Sequence, residues 1–337
     1  MTDFDYQKQA QDYYSKAPVI ILGSGSSMAF GLPGMKELAN YIKENVDTDQ
    51  IPETESGSWF EFCGLLETGM DLETALQQIS FSEGVTDLII QEAWDVINAR
   101  DEAVYKDSIS DRSIFPLGHL LSHMFRSSLS ELNIITTNYD CLAEYACDQE
   151  EIYHYSGFSH GYTRRLADPD HIRCSRKVNI WKVHGSLDWF YSPSNETISF
   201  LKTQFKPDGY RPQIVTPGIQ KYQKTHLEPY RSIIGSADNA ISNANSYLCF
   251  GFGFNDEHIQ PKLLNKCERD GASITVVTYA LTDQAKALIF DGGIQNYLAI
   301  ERAEEDDQTK IYSSLYDNPI TVKGNYWSLE GFLKLIM

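Results

Sequence analysis

Paired cysteines are missing from this chain. It has six cysteines, and no two of them stand in a CxxC arrangement. A structural zinc ribbon needs two such pairs to place four thiolates around the metal. The sequence therefore excludes a ribbon of that kind, and we predict no metal. Cysteines within apolar stretches, such as Cys249, are expected to be buried and reduced.

Long apolar runs are missing as well. No stretch approaches the roughly 18 consecutive apolar residues of a membrane-spanning helix. Residues 1–17 are polar and partly acidic, and they lack the apolar segment of a secretory signal. From these two absences we expect a cytoplasmic protein that makes no contact with a membrane.

Basic side chains are in the minority. The chain has 28 lysines and arginines against 47 acidic residues, a formal net charge of −19. Such a surface repels nucleic acid and anionic lipid, so direct nucleic-acid binding is disfavoured. The hydrophobic content of 42% is typical of a folded globular chain.

Short apolar runs alternate with helical patterns along the chain. Runs of this length, rich in β-branched residues, are typical of buried strands. They fall at residues 17–22, 133–137, 178–183, 247–250 and 273–279. Strands that alternate with helices predict an α/β fold, here a Rossmann-like, doubly wound parallel sheet.

The spacing of these runs predicts the domain organisation. We expect an N-terminal helical lead-in over residues 1–17 and an α/β domain over residues 18–290. A helical insertion or small module occupies about residues 45–130 of that domain, because the apolar residues there recur at helical spacing. Residues 291–337 are expected to form a C-terminal extension that packs on it.

A glycine-rich turn follows the first predicted strand. Gly23, Gly25, Ser26 and Ser27 lie between this strand and a helix. Glycines let the backbone approach a pyrophosphate closely, and a helix N-terminus favours negative charge. The third glycine of the full dinucleotide-binding pattern is replaced by Met28. A tight strand-to-helix turn without a ligand is the alternative interpretation.

Polar residues follow the second and third strands. Thr137, Asn138 and Asp140 come after the second, and His184 ends the third. Ligands bind beyond the carboxyl ends of parallel strands, so these side chains are expected to share one site. Asn138 and Asp140 also suit a simple helix cap, and a lone histidine is often structural.

A second glycine-rich turn follows the fourth strand. Gly251, Gly253 and Asn255 lie in it, and its backbone is expected to contact a dinucleotide. Asp256 and His258 next to it look like half of a metal site. No nearby residue completes that site, so metal binding is disfavoured.

Together these segments resemble a known family. GSGSS, TTNYD, VHGS and GFGFND, in this order, resemble the sirtuin-like NAD-binding family. DLETALQQI, IWKVHGSLDW, IVTPGIQK and GFGFNDEHI look like its bacterial branch of antiphage-defence effectors. The similarity spans about residues 18–290.

The resemblance implies roles for individual residues. Gly23 and Gly25 would line the phosphates of NAD, and Asn138 and Asp140 would lie on its ribose and nicotinamide side. His184 would match the catalytic histidine of the family. Further NAD contacts are expected from Ser26, Ser27, Thr137, Gly251, Gly253 and Asn255.

The chain departs from deacetylating sirtuins in two ways. The four-cysteine zinc module is missing, and Thr137 replaces a glutamine. Both departures favour hydrolysis of NAD to ADP-ribose and nicotinamide over protein deacylation. In that reaction Asp140 would stabilise the positive charge on the ribose, Asn138 would orient water, and His184 would accept a proton.

A free NAD hydrolase would kill its host, so its activity must be gated. We expect a homo-oligomer or a separately encoded partner, such as a HerA-type ATPase or another sensor subunit, in an abortive antiphage response. Two other functions stay open. They are an NAD-dependent protein deacylase or ADP-ribosyltransferase, and a non-catalytic module that binds NAD or ADP-ribose.

Overall fold

A computed structural model gives the fold of this chain. It describes residues 5–169, 174–194, 196–200, 206–215, 227–256, 258–305 and 307–337. Parts of the segments IVTPGIQK and GFGFNDEHI, singled out in the sequence, lie outside the described residues.

The strands of the described part of the chain form two sheets. They are β1 (Val19–Leu22), β2 (Glu131–Thr136), β3 (His154–Tyr155), β4 (Thr163–Arg165), β5 (Lys177–Lys182), β6 (Gly185–Tyr191), β7 (Thr197–Phe200), β8 (Arg211–Ile214), β9 (Ser246–Phe250), β10 (Ser273–Val277), β11 (Tyr297–Arg302), β12 (Gln308–Ser313) and β13 (Tyr316–Lys323). The five strands predicted from apolar runs correspond to β1, β2, β5, β9 and β10.

The larger sheet has nine strands in the order β13-β12-β11-β10-β9-β1-β2-β5-β3. Every pairing from β3 to β11 is parallel, and only β12 and β13 are antiparallel. Six of these strands lie side by side in the order β5-β2-β1-β9-β10-β11. Numbered by their sequence along the chain, they are strands 3-2-1-4-5-6, which is the Rossmann order. The predicted fold class is confirmed.

Helices cover both faces of this sheet. They are α1 (Tyr6–Tyr14), α2 (Gly25–Met28), α3 (Met35–Asn45), α4 (Ser56–Glu67), α5 (Leu72–Gln78), α6 (Glu83–Ser110), α7 (Pro116–Met124), α8 (Leu142–Gln149), α9 (Tyr230–Asn243), α10 (Gln260–Arg269), α11 (Asp283–Lys286) and α12 (Leu329–Ile336). Alternate residues of β1 enter opposite cores: Ile20 packs with α3, α6 and α7, whereas Ile21 packs with α9 and α10. A strand buried on both sides explains the uninterrupted apolar run.

The smaller sheet is antiparallel, in the order β4-β7-β6-β8. It is joined directly to the main sheet, because β6 follows β5 after only Val183 and His184. Gly185 starts β6 with φ +91, and a Cβ there would lie 2.1 Å from the carbonyl oxygen of Gln213. The turn that presents His184 therefore requires a glycine after the histidine.

Residues 291–337 take part in the main sheet. They supply the sixth Rossmann strand, β11, as well as β12, β13 and α12. The apolar face of α12 is buried on the core, with Phe332 and Leu335 each 1% exposed. Within the described residues, no helix is long and apolar enough to cross a membrane.

Candidate functional site

A cavity lies at the carboxyl ends of β1, β2, β5 and β9. This is where the Rossmann order reverses direction between β1 and β9, the usual ligand position in such sheets. Its volume is about 200 Å³. It is lined by Gly23, Ser24, Ser27, Leu32, Pro33, Met35, Leu38, Ile97, Thr137, Asn138, Tyr139, Asp140, His184, Val215, Phe252, Gly253, Asn255 and Asp256.

Most of the residues selected from the sequence meet at this cavity. They are Gly23, Ser27, Thr137, Asn138, Asp140, His184, Gly253 and Asn255. Gly25, Ser26 and Gly251 do not line it. These three line an adjoining cavity of about 450 Å³, which shares Ser27, Asn138 and Asp140 with the first.

The two glycine-rich turns pack against each other. The Gly25 amide donates to the Gly251 carbonyl at 3.1 Å. A Cβ on Gly23 would lie 2.4 Å from that same carbonyl oxygen, and one on Gly251 would lie 2.2 Å from the Ser26 nitrogen. Gly251 also has φ +56, where side chains are strained. The glycines at these three positions are therefore required by the contact between the turns.

A hydrogen-bond chain connects Asn138 to Asp140. The Asn138 Nδ2 donates to Ser27 Oγ at 2.9 Å, and Ser27 Oγ donates to Asp140 Oδ2 at 2.7 Å. Asn138 Nδ2 also lies 3.0 Å from the Gly23 carbonyl. Because its nitrogen is engaged, the amide of Asn138 is fixed, and Oδ1 has no hydrogen-bond partner among the described residues.

Asp140 lies behind this chain. Its side chain is buried, and Oδ1 accepts from the Leu142 amide at 3.2 Å. Burial raises the pKa of the Asp140 carboxyl, and Lys182, the Ser27 hydroxyl and the Leu142 amide only partly oppose that rise. Asp140 therefore combines a contact to the first amide of α8 with a link to Asn138.

Two buried charged side chains bind the main chain of residues 140–142. Lys182, the last residue of β5, is fully buried and donates from Nζ to the main-chain oxygen of Asp140. Its Nζ lies 3.3 Å from Glu144 Oε1. Asp101 on α6 accepts from the Cys141 amide at 2.7 Å. Sequence reasoning missed Lys182 and Asp101, since nothing local marks a charged residue as buried.

His184 faces Asp256 across the cavity. Its Nε2 lies 2.9 Å from Asp256 Oδ2, and the two side chains are 12% and 6% exposed. The contact is close enough for an ion pair, but Nε2 makes no aligned hydrogen bond within the described residues. The pair is therefore a close contact between an imidazole nitrogen and a carboxylate oxygen. Asp256 had been noted in the sequence only as part of an incomplete metal site.

Val215 connects the segments that follow β2 and β5. Its amide donates to the His184 carbonyl at 2.8 Å. Its carbonyl accepts from the Tyr139 hydroxyl at 2.7 Å. The segment that carries Asn138 and the segment that carries His184 are thus connected through a third chain segment, and the distance between them is fixed by tertiary contacts.

Apolar residues form the outer wall of the cavity. Leu32, Pro33, Met35 and Leu38 come from the segment after α2 and from α3, and Ile97 comes from α6. Their spacing along the chain is that of ordinary core residues, so nothing in the sequence marks them as part of a site. Within the part of the chain that the structure describes, no three His, Cys, Asp or Glu side chains are grouped to hold a metal ion.

Comparisons with known proteins give one family and several solved structures. The model of a family described as SIR2-like domain matches residues 132–304. No curated protein matches the sequence. Similar solved structures include Sir2Tm bound to a propionylated peptide, at 15% identity and a TM-score of 0.43, covering 86% of this chain and 99% of that one. A Sir2 homologue in complex with NAD has 14% identity and a TM-score of 0.41, covering 89% of this chain and 88% of that one.

Proposed function

Because the chain belongs to the SIR2-like domain family, we propose that it hydrolyses NAD to ADP-ribose and nicotinamide. The observation that carries the proposal is the meeting of Asn138 and His184 at one cavity, at the reversal point of a Rossmann sheet. These are the amide and the imidazole that such a hydrolysis needs beside the ribose.

The reaction exchanges one bond at the ribose for another. The bond from C1′ to the nicotinamide nitrogen breaks, and nicotinamide leaves as a neutral molecule with the electron pair. A water oxygen bonds to C1′, which carries positive charge in the transition state. His184 accepts the proton released by the water or by a ribose hydroxyl, a general-base contribution of about 10²–10⁴-fold.

Asn138 is proposed to hold the attacking water. Its Nδ2 is already occupied by Ser27 and Gly23, so Oδ1 is the atom that can accept from water. An amide that is fixed before the substrate arrives costs no reorganisation during the reaction.

Asp140 is proposed to act mainly through Ser27. Its Oδ2 is engaged by the Ser27 hydroxyl, which orients Asn138. A carboxylate that is buried at the cavity wall also stabilises positive charge on the ribose, because charges interact strongly where water is excluded.

The second cavity is proposed to take the rest of the dinucleotide. It lies on the other side of Ser27 and Asn138 and is lined by Gly25, Ser26 and Gly251, which the sequence assigned to NAD binding. A molecule as long as NAD needs more room than the 200 Å³ of the first cavity.

Gating belongs to the same proposal. Uncontrolled NAD hydrolysis would harm the host cell, so we propose activation by self-association or by a separately encoded partner, such as a HerA-type ATPase, in antiphage defence. Mass measurement of the protein alone and with proteins encoded beside it would identify the active assembly. Activity that is full in the monomer and unchanged by any partner would contradict gating.

The direct test is nicotinamide release from NAD, measured for the purified protein with and without candidate partners. We expect Asn138→Ala to lower kcat by about 10²–10³-fold, as for loss of a preorganised polar group. For His184→Ala we expect kcat to fall by about 10²–10⁴-fold. NAD-dependent loss of acetyl groups from added peptides would instead favour the deacylase.

Matched controls separate the site from general damage. His119→Ala removes a histidine that is paired with Glu150 at the surface, and Asn243→Ala removes one bonded to Asn239 at the end of α9. Both controls should retain wild-type turnover. No nicotinamide release in any assembly, or release that survives both cavity substitutions, would overturn the proposed hydrolase.

A further inference from the structure

Among the described residues, the Asp256 carboxylate lies against the His184 imidazole, with Oδ2 at 2.9 Å from Nε2. We propose that Asp256 is a positioning residue for His184. It holds the ring with Nε2–H towards the carboxylate and stabilises the cation that forms when the ring takes a proton. This inference rests on the proposed NAD hydrolysis.

The carboxylate of Asp256 is held in place before any substrate binds. Its Oδ1 accepts from the His258 amide at 3.0 Å and from the Ile259 amide at 2.8 Å. Its main-chain oxygen accepts from the Gln260 amide at 3.0 Å, at the start of α10. One carboxylate oxygen thus binds the turn that leads into α10, and the other contacts His184.

The turn that leads to Asp256 is shaped by burial. Phe254 has φ 60, which non-glycine residues adopt at a cost, and its side chain is 0% exposed. Its ring packs on Phe252 with the centroids 5.0 Å apart. Tight packing that maintains a strained turn is what would fix a carboxylate opposite His184.

The role of the carboxylate follows from the tautomers of histidine. When Nε2 carries the proton and faces a carboxylate, Nδ1 is the nitrogen that accepts a proton from water or a ribose hydroxyl. The ring is then a cation, with its charge 2.9 Å from Asp256. The present contact is poorly aligned, as catalytic hydrogen bonds often are before substrate binds.

The test compares Asp256→Asn, His184→Ala and the double variant in the nicotinamide-release assay, with the wild-type assembly that is active. Asparagine keeps a side-chain oxygen that can accept from the same two turn amides, so thermal stability should be nearly unchanged. For Asp256→Asn we expect kcat to fall about 10²–10⁴-fold, with KM within about threefold of the wild-type value. In the His184→Ala background, Asp256→Asn should cause no further loss.

Asp238→Asn is the matched control. Asp238 forms an ion pair with Lys262 on α10, away from the cavity, so turnover should stay at the wild-type level. If Asp256→Asn does not fold, Asp256→Ser replaces it in the same comparison, because serine keeps a side-chain oxygen for the turn amides without the charge.

Two results would overturn the inference while the hydrolase proposal stands. One is a wild-type kcat in a folded Asp256→Asn, and the other is a full additional loss in the double variant. A wild-type protein without NAD cleavage in any assembly overturns the hydrolase itself and the role of Asp256 in it. The two failures are therefore distinguishable from the wild-type measurement alone.

Discussion

Two aspartates with little exposed side chain, Asp140 and Asp188, lie near Lys182, and their other charged neighbours differ. Asp140 borders the cavity at the end of β2. Asp188 lies in β6 of the antiparallel sheet, where Arg164 Nη2 contacts its Oδ2 at 2.5 Å and Ser199 Oγ donates to it at 2.9 Å. Burial alone would raise the pKa of Asp188, but Arg164 and Lys182 together lower it. For Asp140 burial prevails, and its pKa is raised.

The difference separates a structural carboxylate from a site carboxylate. Asp188 is paired with an arginine, and its charge stabilises the fold. Asp140 shares Lys182 with Glu144 and has a hydroxyl and an amide as its other partners. A buried carboxylate without a dedicated cation is costly to the fold, and such groups concentrate at functional sites.

The largest effect should come from breaking the structural pair. Asp188→Asn leaves the Arg164 guanidinium, whose side chain is 15% exposed, without its carboxylate. We expect the free energy of unfolding to fall by about 3–5 kcal/mol, measured by urea denaturation. Arg165→Met is the control, since its pair with Glu196 is largely exposed and should contribute about 1 kcal/mol or less. Equal losses in the two variants would contradict the comparison.

Asp140, the carboxylate at the cavity, should affect turnover more than it affects stability. Asp140→Asn is expected to lower nicotinamide release about 10²-fold, because misplacement of a reacting group by about 1 Å has an effect of that size. Its loss of unfolding free energy should be smaller than that of Asp188→Asn. A variant that loses as much stability as Asp188→Asn, and whose folded fraction retains full turnover, would assign Asp140 to the fold alone.

The link through Ser27 gives a smaller effect. Ser27→Ala removes the hydroxyl between Asn138 and Asp140, and we expect up to about a tenfold loss of kcat, equivalent to one hydrogen bond. Ser242→Ala is the control, because its hydroxyl donates to the Asp238 carbonyl on α9 and it lines neither cavity. If Asp140 acts through Ser27, the double variant Ser27→Ala with Asp140→Asn should be no slower than Asp140→Asn. A multiplied loss would show an independent role for the carboxylate.

The smallest effect is a difference in pH dependence. A lowered pKa means that the stabilisation by Asp188 is present above the ordinary value of 3.8 and is lost as the pH falls through the folded value. A raised pKa means that the penalty from Asp140 appears as the pH rises above 3.8. The check is the unfolding free energy measured against pH. As the pH falls towards 3.8, the unfolding free energy of the wild type should rise relative to that of Asp140→Asn. As the pH falls further below 3.8, the unfolding free energy of the wild type should approach that of Asp188→Asn.

Much of the fold was predictable because it follows from local patterns. Apolar runs of strand length, with turn residues after them, indicated β1, β2, β5, β9 and β10, and their alternation with helices indicated the parallel sheet. The sixth strand was missed. β11 lies beyond residue 290, where only the extension was expected, and its run Tyr297–Arg302 ends in charged residues that obscure the buried centre.

The site was predictable in part, for a related reason. Residues at the carboxyl ends of neighbouring parallel strands must lie close together, and this brought Asn138 and His184 to one cavity. Asp256 and Lys182 were not assigned roles. Their importance depends on which side chains face them, and those partners come from distant parts of the chain.

The sequence by itself determined where the strands end and which polar residues follow them, because burial on two faces requires apolar runs and turns require glycine or short polar side chains. Tertiary structure decided how those residues are used. It packed Gly25 on Gly251, joined Ser27 to Asp140 across 113 positions, and set Asp256 against His184. The physical reason is that pairing and desolvation of a charge depend on its spatial neighbours, whereas the period of a strand depends on its own sequence.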